Sequence, residues 1–159
     1  MIEIPKVLFH TSKQRVAEGK FIHPGRWGRI IKRTGPTHPS WNREQVLEAV
    51  RASDFAEKPS RLKATFACLT RDAIEFYRRV HTPGAVIYAV ELAAADAPSH
   101  VGDFNAVEPL PRRSETMTEI AKLYWTLGLR TNVAEAPGVE CLELVSTSAL
   151  KIVDVLDGW

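Results

Sequence analysis

Arg61-Leu62-Lys63-Ala64-Thr65-Phe66-Ala67-Cys68-Leu69-Thr70-Arg71-Asp72-Ala73 is the stretch on which the fold class turns. Its middle is a short apolar run with strand character, and Thr70 stands where a helix N-cap belongs. Beyond it, Ala73, Phe76, Tyr77 and Val80 keep the 3.6-residue spacing of an amphipathic helix. The segment therefore reads as a strand that turns at once into a helix. Upstream, Val7-Leu8-Phe9-His10-Thr11-Ser12 reads as an apolar strand that ends on a histidine and two hydroxyls. Polar groups at the end of such a strand must leave the core, and ligands are commonly met there.

Between these two phrases, Lys13 to Glu18 is expected to form a short helix closed by Gly19. Asn42 and Gln45 form a capping pair for a helix through Arg51, with Val46, Leu47 and Val50 on its apolar face. Thr34 to Ser40 and Ser53 to Lys63 read as loops. After Pro83-Gly84, the run Ala85 to Leu92 is a strand. Thr116 and Glu119 make a capping box for a helix through Leu127 that Gly128 stops. Two apolar runs separated near Ser146-Thr147-Ser148 close the chain. Strands and helices do not alternate strictly, so the order predicts an α+β domain, single over residues 1–159.

The totals set limits. With 159 residues the chain can bury about two-thirds of its unfolded surface. It is 45% hydrophobic and 25% charged, as an ordinary globular protein is. A net charge of +2 does not by itself point to nucleic acid. Cys68 and Cys141 lack metal-ligand spacing and sit in apolar runs, so buried free thiols are expected. No stretch reaches the ~20 apolar residues of a membrane span, and the N-terminal residues lack the charge pattern of a signal peptide. A cytoplasmic protein fits these features.

Three groups of residues could carry chemistry. His10, followed by Thr11 and Ser12, is either a strand histidine with a satisfied hydrogen bond or a ligand residue. Gly25-Arg26-Trp27-Gly28-Arg29 is either a cradle for phosphate and a base or a bulged hairpin with solvated arginines. In Glu140-Cys141-Leu142-Glu143-Leu144-Val145, strand alternation puts Glu143 with Cys141 and Val145, and Glu140 on the opposite face. A carboxylate among apolar neighbours is costly unless it is at an edge, paired or facing a cleft. His23, His38, His81 and His100 read as solvated loop residues. There is no HExxH, no GxSxG and no Cys/His cluster at zinc spacing.

Taken in order, these pieces resemble the ADP-ribosyltransferase fold in its histidine-tyrosine-glutamate, diphtheria-toxin-like branch, which includes small rifamycin-modifying and nucleic-acid-modifying transferases. Phe9-His10-Thr11-Ser12 is similar to the first motif, and Phe66-Ala67-Cys68-Leu69-Thr70-Arg71-Asp72-Ala73 to the second. Ile87-Tyr88-Ala89-Val90-Glu91 resembles the strand that follows, and Glu143-Leu144-Val145 the third motif. The match spans most of the chain. It departs in having no tyrosine beside Phe66 on the strand, and in a long insert from Pro24 to Ser60.

The resemblance implies a split mixed β-sheet flanked by helices, and an enzyme that uses NAD as substrate and no metal. NAD would be held by His10, Thr11 and Ser12 at the nicotinamide. Phe66, Tyr77 or Trp27 would stack on the ring, and Arg26 or Arg29 would meet the pyrophosphate. Glu143 would be the catalytic carboxylate. The acceptor, whether nucleic acid, protein or small molecule, is unspecified; Arg78-Arg79 and Arg112-Arg113 are either a preference for nucleic acid or solvated surface, and the resemblance implies a macromolecular acceptor in a bacterial toxin or defence role. Two alternatives share the fold. One is a binding module, for NAD, a nucleotide or a partner, without catalysis. The other is an RNA 2′-phosphotransferase, which would require His10 and several of Arg26, Arg29, Arg61 and Arg130 in one pocket.

Overall fold

The computed structural model describes residues 2–107, 116–129, 132–133, 136–137 and 140–157. In chain order the elements are β1 (Leu8–Ser12), β2 (Phe21–Ile22), α1 (Arg26–Thr34), α2 (Trp41–Asp54), β3 (Thr65–Cys68) and α3 (Arg71–His81). Then follow β4 (Val86–Leu92), β5 (Ser99–Asp103), α4 (Met117–Trp125), a small hairpin of β6 (Asn132–Val133) and β7 (Ala136–Pro137), β8 (Leu142–Ser146) and β9 (Leu150–Asp157). Short 3-10 turns lie at Gly35–Thr37, Arg61–Lys63 and Phe104–Ala106.

Seven strands form one sheet in the order β2-β9-β4-β1-β3-β8-β5. The architecture is α+β, but the expected mixed sheet is corrected: every described pairing is antiparallel. No helix crosses over between two neighbouring strands in the way a parallel pair would need. The sheet is uneven at its centre. β1 pairs with β4 through five residues, yet meets β3 at the single pair Phe9↔Cys68. A four-stranded half and a three-stranded half thus part between β1 and β3.

Helices cover one face. Leu47 and Val50 of α2, with Ile120, Ala121, Tyr124 and Trp125 of α4, pack on Val145, Phe76 and Phe104. Trp125 Nε1 donates to the Leu47 carbonyl at 2.9 Å and ties the two helices together. Ala73 and Ile74 of α3 pack on Ile87 and Cys68 at the centre of the same face. The opposite face gathers Leu8, Tyr88, Val90, Leu144 and Ile152 under Ile2, Val16 and Ile22.

The strand-helix reading at Phe66 holds. The Thr70 hydroxyl accepts from Ala73 N at 3.1 Å and caps α3. The Thr116/Glu119 capping box forms as well, although α4 ends at Trp125 and the left-handed residue beyond it is Leu127 (φ 59°), not Gly128.

Several expectations are corrected. Residues 13–18 are not helical, because Tyr88 in β4 takes their backbone: its hydroxyl donates to Gln14 O at 2.9 Å and accepts from Val16 N at 2.8 Å. The α2 N-terminus lies at Ser40, with no side-chain cap from an Asn42/Gln45 pair. The Gly25–Arg29 phrase is neither cradle nor hairpin; it opens α1. Within α1, Gly28 lets the helix backbone meet the Arg61–Lys63 turn, since a Cβ there would lie 1.9 Å from Leu62 O. No helix among the described residues is long and apolar enough to cross a membrane.

Candidate functional site

A cavity of about 410 Å³ opens on the helical face where the two halves of the sheet part. It brings together His10, Thr11, Trp27, Phe66, Tyr77 and Glu143, six residues singled out by the sequence. It does not include Ser12, Arg26 or Arg29. The Ser12 hydroxyl instead accepts from Gln14 N at 3.1 Å. Arg26 is exposed and donates to Gln14, and Arg29 is exposed on α1. Arg130, Arg112 and Arg113 lie outside the described residues.

His10 is the third of five residues in β1, not its last. Its Nδ1 donates to the Phe66 carbonyl at 2.7 Å, spanning the two strands where the sheet opens. With that nitrogen a donor, Nε2 of the neutral ring is an acceptor. Burial lowers the histidine pKa, and the positive Arg26 lowers it further against the raising effect of the Phe66 bond. The next residue, Thr11, presents a buried hydroxyl without a protein hydrogen-bond partner, and so does Thr82 elsewhere on the wall. The aromatic wall is Tyr77 edge-on to Phe104, with ring centroids 5.2 Å apart, together with Phe66. Burial holds the Tyr77 hydroxyl protonated, well above its ordinary range.

Glu143 points into this cavity because β8 pairs it with Cys68 on one side and Gly102 on the other. Its side chain is only 7% exposed, and it is not alone. Arg61 Nη1 and the Tyr124 hydroxyl both donate to its Oε1, the latter at 2.6 Å. Arg61 also donates to Tyr124 Oη at 2.7 Å and forks from Nε onto both oxygens of Glu44 at 3.0 and 3.2 Å. Arg43 reaches Glu44 at 3.2 Å, so that among the described residues two arginines and two glutamates form one buried ion-paired group.

Burial works against a charged Glu44, yet Arg61 and Arg43 outweigh it and hold the carboxyl below its usual range. Burial likewise works against the Arg61 charge, while Glu44, Tyr124 and Glu143 lift its pKa well above normal. The Tyr124 hydroxyl is pushed up by burial, with Glu143 acting in the same sense against Arg61. Glu140, by contrast, is exposed and precedes β8.

Arg61 stands where it does because Ser60 caps its turn: the hydroxyl accepts from Leu62 N at 3.2 Å and donates to Glu48 at 2.6 Å. Tyr124 is held from behind by His100, whose Nε2 donates to the Tyr124 carbonyl at 3.0 Å while Nδ1 faces Lys58 Nζ at 3.0 Å. His100 is therefore a buried residue of β5 and not a solvated loop histidine, and burial takes its pKa down to about 4. His81 also lines the cavity, edge-on to Phe104.

The sequence reading missed Arg43, Glu44 and Tyr124 as site residues. A signal existed for two of them. Arg43 and Glu44 fall on the same stripe of α2 as Leu47 and Val50, and charges on an apolar stripe must pair.

Cys68 lines the cavity, and hydrogen bonding with Cys141 together with burial keeps its thiol protonated. Both cysteines are free and buried. Among the described residues no three His, Cys, Asp or Glu side chains come together as metal ligands.

A family model described as "Protein of unknown function (DUF2441)" matches residues 10–154, and the chain belongs to that family. No curated protein matches the chain.

Proposed function

We propose that the protein cleaves the bond between nicotinamide and ribose in NAD and transfers ADP-ribose to an acceptor, on an ADP-ribosyltransferase-like fold. One observation carries the reading: His10, Thr11, Phe66, Tyr77 and Glu143, from three separate segments of the chain, line a single cavity at the opening of the sheet. In this reading the backbone beside His10 and Thr11, both on the cavity wall, holds the carboxamide. The aromatic wall takes the pyridinium face, worth about 0.5–1.5 kcal/mol beyond area burial. The N1–C1′ bond breaks with its electron pair going to the ring nitrogen, so nicotinamide leaves neutral and positive charge spreads over the ribose. Glu143 stabilises that cation and accepts from a ribose hydroxyl. The acceptor's lone pair then forms the new bond at C1′ and its proton passes to solvent.

Arg26 and Arg29 do not line the cavity, so in this reading they meet only a part of the substrate that emerges from it. A 2′-phosphotransferase is less well supported. Of Arg26, Arg29 and Arg61 only Arg61 lines the cavity, and its charge is matched by Glu44 and Glu143.

A second reading, binding without turnover, is favoured by one feature: Glu143 is already engaged by Arg61 and Tyr124. Incubating the purified protein with NAD and measuring free nicotinamide separates the two. Release that disappears in Glu143→Gln supports the transferase. NAD binding by calorimetry with no release supports the binding module, and absence of both sinks the transferase and an NAD-binding module alike.

A further inference from the structure

We propose that Tyr124, together with Arg61, is a positioning residue that anchors one oxygen of Glu143 and leaves the other to a ribose hydroxyl of the substrate. The inference rests on the nicotinamide-ribose reading above. Both donors, Arg61 Nη1 and Tyr124 Oη, converge on Oε1. Among the described residues no hydrogen bond reaches Oε2, although Glu143 lines the cavity. A carboxylate turns freely about its last torsion unless something holds it, and its two oxygens offer about four acceptor sites. Two donors on one oxygen remove that freedom and aim the other.

The anchor is itself built in. Gly102 sits directly opposite Glu143 in the β5–β8 register. With no side chain there, the Tyr124 ring can lie over the strand: a Cβ on Gly102 would fall 2.5 Å from the ring. Trp125, edge-on at 5.0 Å, and the His100 bond to the Tyr124 carbonyl fix the ring from the other side. Arg61 stacks at 4.8 Å over Phe66 and 5.0 Å over Tyr124, and its fork onto Glu44 holds it in place. Every group that touches Oε1 is thus fixed by a partner outside the cavity.

Tyr124→Phe keeps the ring and its packing and removes only the hydroxyl. Binding of nicotinamide, which lacks the sugar, and of nicotinamide riboside is measured by calorimetry for wild type, Tyr124→Phe and Arg61→Lys. The expected result is unchanged nicotinamide affinity and riboside affinity weakened about 10-fold in Tyr124→Phe. Arg61→Lys, which keeps the charge and loses the fork, shows the same selectivity. In NAD cleavage the loss falls on kcat more than on KM. Equal weakening of both ligands, or an unchanged riboside affinity, overturns the positioning role. A wild type that binds neither ligand overturns the nicotinamide reading itself, and this inference with it.

Discussion

Glu140 and Glu143 are three residues apart and occupy opposite environments, one exposed before β8 and one nearly enclosed between Arg61 and Tyr124. Losing a preorganised charge of the second kind typically costs on the order of 10²–10³ in rate. Glu143→Gln is therefore expected to lower nicotinamide release by that factor, and Glu140→Ala to leave it within about twofold; equal losses in the two variants would remove Glu143 from the catalytic role. His100 supplies a second residue-scale prediction. Its folded pKa of about 4 lies below the ordinary value of 6.5, so the unfolded chain binds the proton more readily. Stability from this group is complete above pH 6.5 and lost as pH falls toward 4. Between pH 7 and 5 the loss is about 2 kcal/mol. Urea midpoints at the two pH values should show a smaller drop in His100→Gln than in wild type, and an identical drop would mean that His100 carries no such linkage.

At the scale of elements, the 3-10 turn Arg61–Lys63 presents the guanidinium, and α1 presses on that turn through Gly28. A methyl group there meets the Leu62 carbonyl, which is backbone and cannot swing aside. Gly28→Ala should cost about 1–3 kcal/mol, as overpacking does. It should also reduce nicotinamide release, because the displaced turn carries Arg61; a variant with unchanged melting temperature and activity would show that the contact relaxes freely. The elements that were legible in the sequence were those whose cause is local. Thr70 and Thr116 cap their helices as their spacing predicts, and Phe66 to Cys68 is extended. Residues 13–18 were misread because their backbone partners are Tyr88, in β4, and Ile152 to Gly19 beyond them, which no local window contains. β5 was missed for a related reason: Ser99-His100-Val101-Gly102-Asp103 is polar and becomes a strand by pairing with β8. The site followed the same rule. His10, Phe66, Tyr77 and Glu143 were legible as motif residues, whereas Tyr124 matters only because Gly102 and Glu143 are opposed across strands.

On the scale of the whole molecule, the sheet is continuous through one residue pair at its centre, and the cavity lies at that weak seam. His10 from one half and Phe66 and Glu143 from the other form its wall, so a ligand seated there contacts both halves at once. Anything bound only by the folded state stabilises it by mass action, by about 2.7 kcal/mol at 100 times the dissociation constant. For a domain of this size that corresponds to a melting temperature higher by about 5–10 °C. Turnover would consume the ligand during such a measurement, so Glu143→Gln is the suitable protein. That variant keeps a side chain of the same size, with an acceptor oxygen for Arg61 and Tyr124, but removes the buried Arg61–Glu143 ion pair. Its melting temperature without ligand should therefore be lower than wild type, since breaking a buried ion pair typically costs about 3–5 kcal/mol. Against that lowered baseline NAD should still raise the transition, because the proposed function assigns the carboxamide and ring contacts to His10, Thr11 and the aromatic wall and not to Glu143. A transition that NAD leaves unmoved in both wild type and Glu143→Gln, at millimolar ligand, would mean that the seam is not where NAD binds.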